Sequence, residues 1–167
     1  PRFYDATEGS VLVDGVDVRE YKLTALRNKL GYVSQRAVLF GGSIRDNVAY
    51  GDNGRSGDEF GRVVDAVYTA QAADFVEGME NGYDGVVSPG GTNLSGGQKQ
   101  RLSIARAVYR EPELMIFDDS FSALDYRTDR VLRQALRQTA VKSTRLIVAQ
   151  RIGTIRDADR IIVLEQG

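Results

Sequence analysis

The residues with the most chemical reach in this chain are carboxylates and amides at the ends of short apolar runs, and a glycine pair set between polar side chains. Leu114-Met115-Ile116-Phe117 runs directly into Asp118 and Asp119. A buried strand that stops on an aspartate delivers it to the edge where α/β sheets bind ligands. Such a carboxylate suits Mg2+, which takes oxygen ligands and keeps several waters. The same string also reads as a strand ending in an Asp-rich turn. In Asn93-Leu94-Ser95-Gly96-Gly97-Gln98-Lys99-Gln100-Arg101, a serine, two glycines and a glutamine open a helix of 14 residues. Ser95 can cap that helix, and the glycines let an anion approach the N–H groups at its positive end. That chemistry suits a phosphate; a Ser-capped helix after a glycine loop is the plainer reading.

Three weaker signals accompany these two. Gly31-Tyr32-Val33-Ser34-Gln35 ends a strand on an amide that could reach a metal or a water, or only solvent. Ile147-Val148-Ala149-Gln150 ends another strand on a second glutamine. Ser122-Ala123-Leu124-Asp125 precedes a helix that Asp125 can cap.

The elements that must position these residues follow from the pattern. Five short apolar runs read as strands: Ser10 to Val13, Leu30 to Ser34, Leu114 to Phe117, Leu146 to Ala149 and Arg160 to Leu164. The last three are nearly unbroken, as expected of strands covered on both faces. Tyr126 to Thr139 is a helix with Val131, Leu132, Ala135, Leu136 and Thr139 on one face. Ser95 to Tyr109 is a helix with Leu102, Ala105 and Val108 in register. Strand and helix alternating in this way predict a parallel α/β sheet. Between Ser43 and Arg110 the pattern is helical (Ser43–Ala49, Asp58–Gln71, about Ala72–Glu77, then Ser95–Tyr109) with no convincing strand. It reads as a lobe inserted into the α/β core, with Gly51 to Gly57 as a flexible surface loop.

Composition narrows the chemistry. The chain has 167 residues, 42% apolar and 27% charged, enough for one domain with a real core. It contains neither cysteine nor histidine. Disulfides, thiolate nucleophiles, Cys or His metal sites and Ser-His-Asp chemistry are thereby excluded within it. A formal net charge of -1 gives no general attraction to nucleic acid or an anionic membrane. The longest apolar runs, of four residues, are too short to span a bilayer.

Together the strings resemble the nucleotide-binding domain of an ATP-binding cassette (ABC) transporter over essentially the whole chain. LSGGQKQR at 94–101 is similar to the family's signature motif, LMIFD at 114–118 to Walker B and SALD at 122–125 to the D-loop. YVSQ at 32–35 is similar to the Q-loop, and the segment ending at Gln150 to the switch loop. Leu39 to Val48 and GTNLSGGQKQRLSIARA at 91–107 resemble the exporter branch. FDDSFSALD and IVAQR look like the degenerate member of a heterodimeric exporter pair.

The resemblance implies a P-loop NTPase fold, with an ATPase core at 1–42 and 111–167 and a helical signature lobe at 43–110. It implies ATP and Mg2+ as cofactors, with Asp118 and Gln35 toward the metal. Gln35, Ser95, Gly96, Gly97, Gln98 and Asp125 are implied for nucleotide, and Asp119 and Gln150 for catalysis. It also implies a second nucleotide-binding domain and a transmembrane domain as partners, at the cytoplasmic face of the membrane, with no nucleic acid. The family's phosphate loop, GxxxxGK[ST], is absent: none of Lys22, Lys29, Lys99 and Lys142 follows the required glycines. In the family that loop, and the aromatic that stacks on adenine, lie upstream of a segment like Pro1 to Asp5. The chain is therefore expected to be an N-terminally truncated piece that does not hydrolyse ATP alone.

Two further departures bear on chemistry. Asp119 stands where the family has a catalytic glutamate, and Gln150 where its switch histidine stands. The implied result is a weakened site on this chain's Walker side and an intact signature surface for a partner. A homodimeric exporter tolerating both changes, or a non-catalytic module in which nucleotide glues a dimer, are the alternatives. A DNA-repair or chromosome-structuring ATPase would place a long coiled coil between Gln35 and Ser95, where only 59 residues lie here with no heptad run. Smaller expectations are that Arg101 and Arg106 reach the sheet carboxylates or only solvent, and that Val38, Leu39 and Phe40 form a docking patch or core. The segment Val87 to Gly91 lacks the glutamate common in homodimeric exporters.

Overall fold

A computed structural model describes residues 1–51, 59–139 and 142–165. In chain order the elements are β1 (Leu12–Val13), β2 (Val16–Asp17), α1 (Leu23–Asn28), β3 (Leu30–Val33), β4 (Gly42–Ser43), α2 (Ile44–Val48), α3 (Glu59–Thr69), α4 (Ala73–Val76), β5 (Val86–Val87), α5 (Gly96–Tyr109), β6 (Leu114–Asp118), α6 (Tyr126–Thr139), β7 (Thr144–Val148) and α7 (Ile152–Ile155). Most of the loop expected at Gly51 to Gly57 lies outside the described residues.

The centre is a three-stranded parallel sheet in the order β3-β6-β7. Its register sets Val33 beside Phe117 and Phe117 beside Ile147, so the carboxyl ends of all three strands share one edge. β6 is the middle strand, and Met115 and Phe117 are wholly buried. Gly31 belongs to this packing: a Cβ there would stand 2.7 Å from the Pro112 ring. The predicted strand at the amino end is part of a hairpin instead. β1 and β2 pair across Asp14 and Gly15, whose φ angles of 51° and 78° match the tight turn that Asp-Gly favours.

Helix α5 is the spine. It begins at Gly96 with Ser95 as its cap, and it packs on β3, α2 and α3. Leu102, Ile104 and Ala105 are fully buried in one continuous core with Val33, Val48, Val63, Val67, Met115 and Phe117. On α6 the predicted apolar face is narrower than expected. Leu132 and Leu136 are buried, but Val131 is 41% exposed, and the third buried residue is Asp129. Asp129 accepts from Arg133 Nε at 2.8 Å, which compensates its burial.

Three strand expectations fail. Within the helical stretch, Val86–Val87 pairs antiparallel with Gly42–Ser43, a two-residue ladder too short to show as an apolar run. The run Arg160 to Leu164 is not a strand: Ile162, Val163 and Leu164 are 75 to 84% exposed. A strand exists only by pairing its backbone, and among the described residues nothing pairs with this one. Among the described residues β7 hydrogen-bonds on one side alone, to β6, and it exposes Leu146 and Val148, so it is not covered on both faces as expected.

Two outcomes follow from this packing. Phe117→Ala is expected to cost about 3–5 kcal/mol of unfolding free energy, whereas Leu146→Ala on the open face stays within about 0.5 kcal/mol; urea titration of the two variants separates them. The second concerns α6. Asp125 accepts from the Thr128 N–H at 2.9 Å and from its hydroxyl at 2.7 Å. The Thr128 backbone bond foremost, then its hydroxyl, holds the Asp125 carboxyl below its ordinary value of 3.8. A depressed folded value stabilises above 3.8 and is lost as pH falls through the folded value. The stability gap between the protein and Asp125→Asn should therefore close as pH drops below about 4, read from denaturant midpoints at stepped pH.

Candidate functional site

The parallel register brings four of the sequence-predicted residues to one edge. Gln35 stands two residues past β3, Asp118 is the last residue of β6, Asp119 follows it, and Gln150 stands two residues past β7. Asp118 is held by a residue not singled out from its string. Tyr32 is level with Ile116, two positions before Asp118, so the two side chains share a sheet face. The Tyr32 hydroxyl donates to Asp118 Oδ2 at 3.0 Å, and Phe3 packs edge-on against the Tyr32 ring. Partial burial, then this bond to the carboxylate, raises the tyrosine pKa above its ordinary value.

Asp119 turns the chain. Its φ is 44°, a left-handed conformation that aspartate adopts more readily than most residues. Its N–H donates to the Val148 carbonyl at 3.0 Å, and its own carbonyl accepts from the Ser122 hydroxyl at 2.6 Å. Gln35 Nε2 donates to Asp119 Oδ2 at 3.0 Å, so these two candidates are in direct contact. Gln150 is exposed and joins neither. Its neighbour Arg151 instead reaches the Ser122 and Leu124 carbonyls, at 2.9 and 3.2 Å.

For a divalent cation, the contacts already made leave suitable atoms. Tyr32 and Gln35 engage one oxygen each of Asp118 and Asp119, leaving the other. The amide oxygen of Gln35 is spared because its nitrogen makes the contact. Carboxylate and amide oxygens fit Mg2+, with water and phosphate oxygens completing its shell. Among the described residues no cluster of three acidic side chains could hold a metal unaided.

The glycine-flanked helix start is built separately. Ser95 Oγ accepts from the Gln98 N–H at 3.3 Å, and Gln98 Oε1 accepts from the Ser95 N–H at 2.8 Å, a reciprocal cap. The Ser95 hydroxyl proton, the Gly96 and Gly97 N–H groups and the Gln98 amide NH2 take no part in that cap. Ser95 and Gly96 are exposed. A Cβ at Gly97 would lie 3.6 Å from the Ala123 carbonyl, so the helix start sits against the Ser122–Asp125 loop of the same chain. Asp125 itself caps α6.

Neither arginine on α5 reaches the sheet carboxylates or is left to solvent. Arg101 binds the Gln71 carbonyl and Asp74 and covers Phe75. Arg106 binds the Val38 carbonyl and both oxygens of Asn47, and lies over Phe40 and Tyr50. At both points segments packed against α5 bring backbone carbonyls within hydrogen-bond reach, and the guanidinium groups take them. The Val38–Phe40 patch divides: Leu39 is core, while Val38 and Phe40 are exposed. Two further residues that sequence reasoning passed over hold the site. Gln100, buried, donates to the Ser34 carbonyl at 3.1 Å and fixes α5 to the end of β3. Asn93 accepts from the Ser88 N–H and donates to the Val86 carbonyl, fixing the loop before α5 to β5. Gln100 lies four residues before Ile104 on the buried helix face, which was the available signal.

Comparison with known proteins places this geometry. The ABC transporter family model matches residues 2–122. The chain is 44% identical over its full length to the heterocyst differentiation ATP-binding protein HepA of a Nostoc species, spanning 27% of that protein. It is 44% identical over its full length to an ATP-dependent lipid A-core flippase of Alcanivorax borkumensis, spanning 28% of it. A bacterial Atm1-family ABC exporter solved with ATP bound superposes with a TM-score of 0.91 at 42% identity, covering 99% of this chain and 28% of the exporter chain. The chain thus spans little more than a quarter of these relatives. The shared fold, with Asp118 on its middle strand and the Ser95-capped helix beside it, makes this chain a member of the ABC transporter family with the parallel-sheet fold of its ATPase domain.

Proposed function

We propose that this chain is part of the ATP-binding and hydrolysing motor of an ABC exporter, and that its own Walker-side site is catalytically weak. In this reading, 1–42 and 111–167 form the ATPase core and 43–110 the signature lobe. The observation that carries it is the edge shared by Gln35, Asp118, Asp119 and Gln150, with Gln35 bonded directly to Asp119. The similarity to a flippase and to an exporter solved with ATP adds support.

Asp118 and the Gln35 amide oxygen would hold Mg2+, which supplies positive charge to the phosphate oxygens during phosphoryl transfer. Asp119 is the group that orients the attacking water. Gln35 occupies Oδ2, which leaves Oδ1 for that water. An aspartate carboxylate sits roughly 1 Å short of a glutamate's, and a displacement of about 1 Å costs on the order of 10²-fold in rate. Gln150 offers an amide donor to a phosphate oxygen and holds no transferable proton. Both differences weaken the same step, so their effects do not add independently.

The start of α5 serves a different nucleotide. Ser95, Gly96, Gly97 and Gln98 present unspent donors outward, toward ATP held by a paired nucleotide-binding domain, and Asp125 belongs to the same face. The pair is a heterodimer whose other member has a catalytic glutamate and a switch histidine. Val38 and Phe40 form the docking surface for a transmembrane domain, and the assembly works at the cytoplasmic face of the membrane. Nucleic acid is not a partner.

The test is ATP turnover by the full transporter. Asp119→Asn should leave total turnover within about twofold, while removing the partner's catalytic glutamate lowers it on the order of 10²-fold or more. Loss of all turnover in Asp119→Asn, as a homodimeric exporter would show, overturns the asymmetric reading.

A further inference from the structure

The chain that follows β6 and the chain at and beyond the end of β7 are joined by four hydrogen bonds, made by three donor residues. The Asp119 N–H donates to the Val148 carbonyl at 3.0 Å. Arg151 Nη2 and Nη1 donate to the Ser122 and Leu124 carbonyls at 2.9 and 3.2 Å, and the guanidinium lies 5.2 Å from the centre of the Tyr126 ring. The Thr154 hydroxyl donates to the buried carboxylate of Asp129 at 3.5 Å. The Asp119 bond continues the sheet and the Thr154 bond lies in the core. Arg151 alone makes its bridge from a loop that carries an exposed candidate site residue, Gln150, immediately before it.

The chemistry of that bridge is specific. The segment Ser120 to Asp125 lies between a strand and a helix, so its carbonyls have no ladder partners. A guanidinium carries several donors in a rigid plane and satisfies two carbonyls at once while stacking on an aromatic face. An ammonium has no such plane. The Ser122–Asp125 loop thereby takes its position from residue 151, and it contacts the start of α5 through Ala123. A displacement of Gln150 is passed through one residue to a fork that grips the neighbouring loop.

We propose that Arg151 is a positioning residue that makes the Gln150 loop and the Ser122–Asp125 loop move as one body. The switch residue of this chain's own nucleotide is then mechanically linked to the surface offered to the paired domain. This rests on the reading of the site given above, and the experiment separates the two.

Amide hydrogen exchange of the full transporter provides the test. Without nucleotide, Arg151→Ala should raise exchange across residues 120–126 about tenfold, the scale expected for losing two net hydrogen bonds. Exchange across β3, distant from the fork, should stay unchanged. With MgATP, residues 148–155 should gain protection in both proteins, and residues 120–126 in the unsubstituted protein only. Unchanged exchange at 120–126 without nucleotide, or equal MgATP protection there in both proteins, overturns the proposal. If MgATP protects neither segment in either protein, the ATPase reading fails, and the nucleotide-free comparison still decides the fork. Should Arg151→Ala not fold, Arg151→Lys decides in its place: the same loosening of 120–126 supports the planar fork, and its absence overturns it.

Discussion

The parallel hydrogen-bonded register of β3, β6 and β7 is the constraint on which the rest depends. Slipping β6 by one residue against β3 would send Asp118 to the opposite face from Tyr32, because side chains alternate along a strand. It would also carry Asp119 away from Gln35. The register is fixed by burial: Val33, Met115 and Phe117 have no exposure, and each must keep its side. The chemistry at the edge is therefore specified by apolar residues that take no part in it.

Helix α5 then joins this edge to helices α2 and α3. Gln100 grips the end of β3, Arg101 the α3–α4 junction, and Arg106 the segment between Val38 and Asn47. Each uses a side chain donor on a backbone carbonyl that belongs to no ladder. A backbone carbonyl buried without a partner costs about as much as a lost hydrogen bond, so these polar side chains fix the loops more strongly than surface ion pairs would. The helix that starts at Ser95 cannot shift without disturbing the strand end that carries Gln35.

What the sequence makes legible is what local chemistry decides. The helix beginning after Ser95 and the helix beginning after Asp125 are each set by neighbours within four residues, the strand ending on Asp118 announces itself by an unbroken apolar run, and each stands where expected. What escapes is decided by distant partners. Arg160 to Leu164 has the composition of a strand and no strand beside it among the described residues. Val86–Val87 is a strand only because Gly42–Ser43 lies opposite. Tyr32 and Arg151 were part of strings read for their glutamines, and their contacts lie 86 and 27 to 29 residues away. Arg101 and Arg106, open in sequence between the sheet carboxylates and solvent, find backbone carbonyls 30 and 59 to 68 residues away for the same reason. A charged side chain advertises its charge, not its partner.

The plain and the chemical readings of Ser95 and Asp125 do not compete. A reciprocal cap at Ser95 spends an Oγ lone pair, one backbone N–H on each side and one oxygen of Gln98. It leaves the hydroxyl proton, the amide NH2 and the first two helical N–H groups, all of them donors. An anion needs donors, so the cap holds the helix start rigid while leaving its binding groups unspent. The cap at Asp125 is the converse: its carboxylate oxygens already accept from Thr128. Asp125 is therefore a fixed acceptor and negative charge rather than a mobile side chain. The two caps set a donor surface beside an acceptor surface on adjoining loops of one chain, an arrangement that a facing domain of the same fold can complement.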